Sequence, residues 1–257
     1  MPLGAKYAIS RDRFLILNPL KQLSACKAYR YPSVPCTTFV HRARSTRMNP
    51  EQHSPIIARL LYSNAQWAAD VTHSNPNFFP ETVKGQEPKV LWIGCADSRV
   101  PESVITASKP GDIFTTRNIA NQFPIGDISA ESVLQYAVNN LGVDHIIVAG
   151  HTNCGGAAAA LATARKGEPI PNASSLEKWL SPLIKRVIAM DISPDVSDSE
   201  ALLAVVKENV KMQIENICET DTIRHAKRKL LVHGWVYGLG DGRITDLHLT
   251  RVIEGTA

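Results

Sequence analysis

Short apolar runs that alternate with helical patterns constrain the fold of this chain more than any other feature. The apolar runs at 89–94 and 144–150 are bounded by turn residues and are too short for ordinary helices, so each predicts a buried strand, and 112–117 is predicted as a further strand. Helical patterns lie between and after them. Strands joined through helices pair in parallel, because only a long crossover connection returns the chain to the same end of the sheet. The sequence therefore predicts an α/β fold with a mainly parallel central sheet flanked by helices.

Three further patterns complete the predicted fold. Apolar residues recur at helical spacing from about residue 50 to residue 71, which indicates an N-terminal helical arm. Residues 75–88 are rich in Pro, Gly and Asn and predict turns. The turn Gly240-Asp241-Gly242 separates two strand patterns and indicates a late antiparallel edge strand. The predicted helices are at about 50–71, from Pro101 onward, 129–141, from Gly155 onward, 175–189 and 198–220, and the predicted strands are at 89–94, 112–117, 144–150, 229–237 and 243–249.

Basic residues are concentrated in the first 47 residues. This segment holds nine Lys or Arg residues against one acidic residue, Asp12, together with hydroxyl residues and scattered apolar side chains. Such a composition is typical of a transit peptide, which is imported into an organelle. We therefore expect residues 1–47 to be a disordered transit peptide, with mitochondrial import favoured over plastid import. The alternative is a basic tail that binds an acidic surface, in a cytoplasmic protein.

The rest of the chain has the opposite charge balance. The 257-residue sequence contains 28 Lys and Arg against 24 Asp and Glu, so residues 48–257 keep 19 basic and 23 acidic groups. An acidic body argues against nucleic-acid binding. We find neither an internal repeat nor a low-complexity linker after residue 50, and no apolar stretch long enough to span a bilayer. Residues 48–257 are therefore predicted to form one catalytic domain, without membrane contact beyond import.

Five cysteines are too few for a disulfide framework in a chain of this length. Cys26 and Cys36 fall in the predicted transit peptide. Cys218 lies in a helical pattern, where a small buried apolar residue is the simpler interpretation. Cys95 and Cys154 each follow a predicted buried strand, and functional groups of parallel sheets gather at the carboxyl ends of the strands. These two thiols are therefore candidates for a shared site.

A histidine completes a candidate metal site. The segment His151-Thr152-Asn153-Cys154-Gly155-Gly156 places an imidazole three residues before the second thiol. With Cys95 this makes two thiolates and one imidazole, a ligand set that suits tetrahedral zinc and leaves one position open. The helix that follows would favour the thiolate form of Cys154. Zinc with an open position lowers the pKa of bound water to near neutrality, and the hydroxide formed can attack an electrophilic carbon.

A carboxylate and a guanidinium closely follow the first thiol. Asp97 is two residues and Arg99 four residues after Cys95. Asp97 could fill the fourth position on zinc, which excludes water, or pair with Arg99, which admits it. Taken singly, the two cysteines could be buried core thiols and His151 a hydrogen-bonded loop residue. Their joint occurrence at two strand ends, beside an Asp/Arg pair, favours a zinc site.

These motifs closely resemble the metal-site signature of the β-carbonic anhydrases. That signature is Cys-x-Asp-x-Arg, here residues 95–99, followed by His-x-x-Cys-Gly-Gly, here residues 151–156. Arg117-Asn118-Ile119-Ala120-Asn121 is similar to the family's second-strand motif, and residues 233–238 are similar to its late strand. The resemblance covers about residues 50–250, so it goes well beyond a likeness of fold.

The resemblance implies a function and the roles of the ligands. The chain would be a carbonic anhydrase, a zinc lyase that interconverts carbon dioxide with bicarbonate and a proton through attack by zinc-bound hydroxide. Cys95, His151 and Cys154 would hold the zinc, and Asp97 would be a fourth ligand only in a closed state. In the open state Asp97 would orient the hydroxide and help to move protons, while Arg99 holds it away from the metal.

A substrate pocket and an oligomer also follow from the resemblance. A narrow pocket would lie near Gln86, a hydrogen-bond donor to bicarbonate, with apolar walls from Phe114, Ile119 and Tyr136 that come partly from a partner subunit. Ordinary core packing is the alternative for the three wall residues, and Gln86 could equally be solvated. A homodimer in which the helical arm crosses to its neighbour, or a homotetramer, is implied as well.

A second bicarbonate site is a further implication of the resemblance. Some bacterial-type members bind a non-catalytic bicarbonate through a Trp, an Arg and a Tyr, which favours the closed zinc site. Trp92, Arg117 and Tyr237 occupy the matching positions here, and their N–H and O–H groups are suitable donors to an anion. The alternative is that Trp92 lies in a strand core, Arg117 forms an interface salt bridge and Tyr237 packs on the sheet.

Three other functions fit some of these residues. A hydrolase of carbon disulfide or carbonyl sulfide would use the same zinc site, and pocket access would distinguish it. A non-catalytic zinc- or bicarbonate-binding protein would not need the pair of Asp97 and Arg99. A dithiol redox protein would need Cys95 and Cys154 to cycle as a disulfide, although they do not form a Cys-x-x-Cys motif.

Overall fold

A computed structural model describes residues 54–167 and 173–256 of the chain. The predicted transit peptide at 1–47, with Cys26 and Cys36, lies outside the described residues, as do the first residues of the predicted helical arm. Within the described ranges, no helix combines the length and the apolar content that crossing a membrane requires.

A six-stranded sheet forms the centre of the fold. Its strands are β1 (Val90–Cys95), β2 (Ile113–Asn118), β3 (His145–His151), β4 (Leu230–Tyr237), β5 (Ile244–Asp246) and β6 (Arg251–Ile253). Four strands pair in parallel in the spatial order β2-β1-β3-β4, and both β5 and β6 pair with β4 in antiparallel. This confirms the predicted fold class and its mainly parallel sheet.

The carboxyl-terminal edge of the sheet differs in detail from the prediction. The strand expected at 243–249 ends at Asp246, and a second antiparallel strand, β6, follows it. His248 has a left-handed backbone with a φ of 56°, and its N–H donates to the carboxylate of Asp246 at 2.8 Å. This local turn interrupts the strand, because a left-handed residue cannot continue a pleated conformation.

Helices connect the strands at most of the predicted positions. In the described residues these are α1 (Pro55–Ser74), α2 (Phe78–Thr82), α3 (Glu102–Ile105), α4 (Ile128–Gln135), α5 (Gly155–Lys166), α6 (Ser175–Ala189), α7 (Asp198–Glu219) and α8 (Asp221–Arg224). The helix predicted at 129–141 consists of α4 and a π-helical turn over Tyr136–Leu141, which ends at Gly142 with a φ of 77°. A short 3₁₀ turn, Ile119–Asn121, follows β2.

The short helix α2 lies where the sequence predicted only turns. Pro80 is within the first turn of this helix, where a missing backbone N–H removes no helical hydrogen bond. The rings of Phe78 and Phe79 pack edge-to-face on Trp67 of α1, with centroids 6.4 and 5.7 Å from its indole. Aromatic packing between helices thus stabilises a segment whose local composition is typical of a loop.

The main core lies on one face of the sheet. Leu91, Ile146 and Leu230 from β1, β3 and β4 are fully buried there against side chains of α4 to α7. The opposite face carries a smaller cluster that includes Trp92 and Ile147. Successive side chains of a strand point to opposite faces, so the continuous apolar runs of β1 and β3 supply both clusters.

Candidate metal centre

Two neighbouring strands bring the predicted ligands together. Cys95 is the last residue of β1 and His151 is the last residue of β3, and these strands are paired in parallel, so both side chains lie at the same edge of the sheet. Cys154 immediately precedes α5. The sulfurs of Cys95 and Cys154 are 4.0 Å apart, and one potential ligand atom from each of the three residues lies within 4.8 Å of the others. All three residues are buried.

The orientation of the His151 ring leaves one nitrogen free to bind a metal. Nδ1 is 2.9 Å from the carbonyl oxygen of Thr152, and because a carbonyl only accepts, Nδ1 carries the proton. Nε2 therefore has the lone pair, and it is buried without a hydrogen-bond partner in the described structure. A buried polar atom without a partner is rare and calls for an explanation such as an ion.

The sulfur spacing fits a tetrahedral zinc site. Two sulfurs bound to one zinc at the usual distance of about 2.3 Å and at a tetrahedral angle lie about 3.8 Å apart. The observed separation between the Cys95 and Cys154 sulfurs is 4.0 Å. Two thiols, one unpartnered imidazole nitrogen and this spacing are compatible with a metal site of the Cys-His-Cys type.

Backbone N–H groups surround both sulfurs. Those of Asp97 and Ala120 lie against the sulfur of Cys95, and those of Gly156 and Ala157 lie against the sulfur of Cys154. The hydrogen bond between the two sulfurs is strongest when one sulfur is a thiolate and the other is a thiol that donates to it. It therefore lowers the pKa of Cys95 to about 4 and raises the pKa of Cys154. The surroundings thus favour negative charge on the sulfur pair.

Asp97 is paired with Arg99 in this structure. The backbone N–H and Nε of Arg99 both donate to Asp97 Oδ1 at 2.9 Å, and a terminal guanidinium nitrogen donates to Oδ2 at 2.6 Å. These bonds hold the pKa of the Asp97 carboxyl well below its usual range. Oδ2 also lies 3.8 Å from Nε2 of His151, so the carboxylate borders the cluster of potential ligands.

Arg117 ties down the chain that leaves β1. Its guanidinium donates to the carbonyl oxygen of Cys95 at 2.8 Å and to that of Asp97 at 2.5 Å. The carboxylate of Glu102 lies 4.0 Å from Nε of Arg117. Arg117 therefore fixes the backbone on both sides of Ala96. This short segment joins Cys95, a potential metal ligand, to Asp97, the carboxylate beside the site.

The two glycines that follow Cys154 have different surroundings. A Cβ on Gly156 would lie 2.9 Å from Cβ of Ala120 and 3.0 Å from Cγ2 of Ile119, whereas a Cβ on Gly155 would meet nothing within 4 Å. Gly156→Ala is therefore expected to lower the free energy of unfolding by about 1–3 kcal/mol through overpacking. Urea titration of the purified chain would measure this loss.

Gly155→Ala is the matched control, because it makes the same change one residue earlier in the same helical turn. It is expected to be neutral, or to stabilise the helix by up to about 1 kcal/mol. Equal stability of the two variants would contradict the close contact between α5 and the 3₁₀ turn.

The predicted pocket residues are partly brought together. The rings of Phe114 and Tyr136 lie 5.8 Å apart, and Phe114 also packs against the main core. Tyr136 and Ile119 are exposed over 47% and 43% of their surface, so part of the apolar wall is open to solvent. Gln86 lies in the exposed loop before β1.

The residues of the predicted second bicarbonate site lie in different surroundings. Trp92 is buried in the smaller cluster, and its indole nitrogen and Cγ of Arg117 both lie beside Gly94. Tyr237 is at the end of β4, paired in register with His151, and packs against the main core. Trp92 and Arg117 are therefore neighbours, whereas Tyr237 contacts the other cluster.

A group of buried amides near the site was not predicted from the sequence. Asn209 and Gln213 of α7, together with Gln122, form hydrogen bonds around the 3₁₀ turn Ile119–Asn121. The sequence does contain a signal for them, because Asn209, Gln213 and Asn216 recur at helical spacing within an otherwise apolar face of α7.

Comparisons with known proteins agree with this arrangement. A family model described as "Carbonic anhydrase" matches residues 90–244. A carbonic anhydrase of Emericella nidulans is 36% identical over 196 residues, which are 74% of this chain and 83% of that protein. A mitochondrial β-carbonic anhydrase of Arabidopsis thaliana is 35% identical over 162 residues, 61% of this chain and 55% of that protein. Among solved structures, a tetrameric β-carbonic anhydrase of Sordaria macrospora is 38% identical with a TM-score of 0.70, and the match covers 77% of this chain and 100% of that one.

Proposed function

We propose that this chain catalyses the zinc-dependent interconversion of carbon dioxide with bicarbonate and a proton, because it belongs to the β-carbonic anhydrase family. One observation carries the proposal. Potential ligand atoms of Cys95, His151 and Cys154 lie within 4.8 Å of one another, beside the hydrogen-bonded pair of Asp97 and Arg99. A purely structural zinc site would need a fourth protein ligand and would not need that pair.

Cys95, His151 and Cys154 would hold the zinc. The metal would supply Lewis acidity and lower the pKa of a water molecule at the open position. The Thr152 carbonyl holds the His151 ring in the tautomer that a ligand requires. The N–H groups around the two sulfurs stabilise their negative charge. Each of these contacts prepares the ligand set before substrate arrives.

Asp97 would orient the attacking water by accepting its hydrogen bond. The depressed pKa of Asp97 keeps this carboxylate ionised at neutral pH, so it acts as an acceptor and not as an acid. Arg99 holds the carboxylate at the border of the site, with Oδ2 still 3.8 Å from His151 Nε2. Release of Asp97 from Arg99 would let it fill the open position and exclude water, which gives the closed state.

Carbon dioxide would bind against the apolar groups beside the site. Phe114, Ile119 and Tyr136 suit a small uncharged substrate, and Gln86 would donate a hydrogen bond to bicarbonate. The exposure of Ile119 and Tyr136 supports a pocket that a partner subunit completes. We also propose a homodimer or homotetramer, because α1 has no buried residue in the single chain and because the similar protein from Sordaria macrospora is tetrameric.

We further propose that residues 48–257 act as one catalytic domain and that residues 1–47 direct the protein to mitochondria. The basic, acid-poor composition of 1–47 supports import, and so does the similarity to a mitochondrial protein of Arabidopsis thaliana.

Trp92, Arg117 and Tyr237 are proposed to bind a regulatory bicarbonate. The neighbouring positions of Trp92 and Arg117 beside Gly94 support this part of the proposal. Arg117 holds the carbonyl oxygens of Cys95 and Asp97, so an anion that drew the guanidinium away would loosen the segment that carries Asp97. Activity would then fall at high bicarbonate and at lower pH. Activity that is flat across neutral pH and indifferent to bicarbonate would remove this regulatory role.

The proposed function is tested by assaying the purified full chain. We expect about one zinc per chain by elemental analysis and rapid carbon dioxide hydration by stopped flow. Carbonyl sulfide and carbon disulfide are offered in parallel assays. Hydrolysis of either gas without carbon dioxide hydration would replace the proposed substrate, and zinc binding without any turnover would leave a binding protein.

A further inference from the structure

We propose that the buried amides Asn209 and Gln122 are positioning residues for the metal centre. In this proposal they hold the 3₁₀ turn Ile119–Asn121 so that the backbone N–H of Ala120 stays against the sulfur of Cys95. The inference rests on the proposed function, because it assigns these amides to the zinc site of that function.

The 3₁₀ turn touches the surroundings of both sulfurs. The N–H of Ala120 lies against the sulfur of Cys95. On the other side, Ala120 and Ile119 fill the space in which a side chain on Gly156 would lie. Gly156 belongs to the first turn of α5, next to Cys154. A shift of this turn would therefore disturb the positions of two potential ligands together.

The turn has a backbone conformation that needs support from outside. Ala120 and Asn121 have φ values of 59° and 43°, in the left-handed region that residues other than glycine rarely adopt. Such conformations persist only where the surrounding structure holds them, and they are common at functional sites. Asn118 supplies part of this support, because its side-chain amide bonds both the N–H and the carbonyl of Gln122 at 2.7 Å and so closes the base of the turn.

Asn209 and Gln122 supply further support by binding one carbonyl. The oxygen of Ala120 accepts a hydrogen bond from Nδ2 of Asn209 and another from Nε2 of Gln122, both at 2.9 Å. The Asn209 oxygen in turn accepts from Gln122 at 2.6 Å and from Gln213 at 2.8 Å. Anchoring the carbonyl of Ala120 fixes the peptide unit between Ala120 and Asn121, which adjoins the peptide unit that carries the N–H of Ala120.

The burial of these amides argues that the network has a role beyond packing. Asn209, Gln122 and Gln213 are exposed over 2%, 1% and 0% of their surface, and they lie in or against an otherwise apolar face of α7. Burying an amide costs free energy unless its hydrogen bonds are made, whereas an apolar residue of similar size has no such requirement. Asn209 and Gln122 both donate to the carbonyl oxygen of Ala120, and the N–H of Ala120 lies against the sulfur of Cys95.

The test uses two variants that each remove one donor to Ala120. Asn209→Leu and Gln122→Met replace an amide by an apolar side chain of similar size. Each is expected to weaken zinc binding about tenfold, since groups that orient metal ligands commonly contribute this much. Competition with a chelator measures the zinc affinity of the full chain. In the cobalt-substituted chain, the thiolate-to-cobalt absorption band is expected to shift to longer wavelength, because the N–H of Ala120 moves away from the Cys95 sulfur and stabilises its negative charge less.

Asn216→Leu is the matched control on the same helix. Its amide donates to the carbonyl of Phe123 at 2.9 Å, beyond the 3₁₀ turn, so its loss is expected to lower the melting temperature without changing zinc affinity or the absorption band. If Asn209→Leu does not fold, Gln122→Met decides the question. Variants that bind zinc as tightly as the control, with an unshifted band, would overturn the positioning role. A wild-type chain that binds no zinc would overturn the proposed function itself, and this inference with it.

Discussion

Cys154→Ser is expected to remove zinc from the protein and to abolish carbon dioxide hydration. The sulfur of Cys154 lies 4.0 Å from that of Cys95, and loss of this ligand would leave one thiolate and one imidazole. A serine hydroxyl stays protonated at neutral pH and is a poor zinc ligand, so two remaining ligands would not retain the ion. Elemental analysis of the purified variant should show a zinc content close to zero, with hydration at the uncatalysed rate.

Cys218→Ser provides the control for this substitution. Cys218 is a half-buried thiol in α7 and does not belong to the Cys-His-Cys group. The same change of sulfur to oxygen should leave zinc content and hydration at the wild-type level. Full zinc retention by Cys154→Ser would show that other residues hold the metal, and the proposed ligand set would then be wrong.

Asp97→Ala is expected to keep the zinc while losing most of the turnover. In this structure Asp97 is paired with Arg99, so it does not act as a ligand and its removal should not release the metal. Under the proposed function, the carboxylate orients the attacking water and helps to move its proton, and loss of such a group commonly lowers the rate by about 10²–10⁴-fold. Zinc content and stopped-flow hydration, measured on the same sample, separate the two effects.

Asp112→Ala controls for removal of a hydrogen-bonded carboxylate elsewhere. Asp112 accepts the backbone N–H of Lys109 at 2.7 Å in an exposed turn, and its loss should leave zinc and turnover unchanged. Loss of zinc from Asp97→Ala would indicate that the closed state, with Asp97 as a ligand, is the state that holds the metal. Wild-type turnover would remove Asp97 from the mechanism.

Much of the fold follows from local patterns in the chain. The strands β1, β2 and β3 and the helices α6 and α7 were predicted within one or two residues, because the pattern of apolar side chains reflects burial on a strand or a helix. The helix α2 was missed, since packing on Trp67 outweighs its loop-like composition. The strand β6 was missed because its three residues are too few to show an alternating pattern.

For the candidate site as well, some features were predictable from the sequence and others were not. Residue types and spacing predicted Cys95, His151 and Cys154 as a group, since the carboxyl ends of parallel strands meet at one edge of the sheet. Local spacing also predicted that Asp97 and Arg99 could pair. It left open whether Asp97 faces the metal or the arginine, because two residues of loop allow both geometries. The tertiary structure adopts the pairing with Arg99.

The sequence by itself determined most of the helices and strands, the types of the candidate ligands and the family, because each of these depends on short segments whose chemistry does not depend on distant neighbours. Only the tertiary structure decided the state of Asp97, the openness of the apolar wall and the amide support of the 3₁₀ turn. That support joins Gln122 to Asn209 across 87 residues of chain. Hydrogen bonds between such distant groups form only when the sheet and α7 have packed together, so the spacing of the amides along α7 does not show which groups they bond.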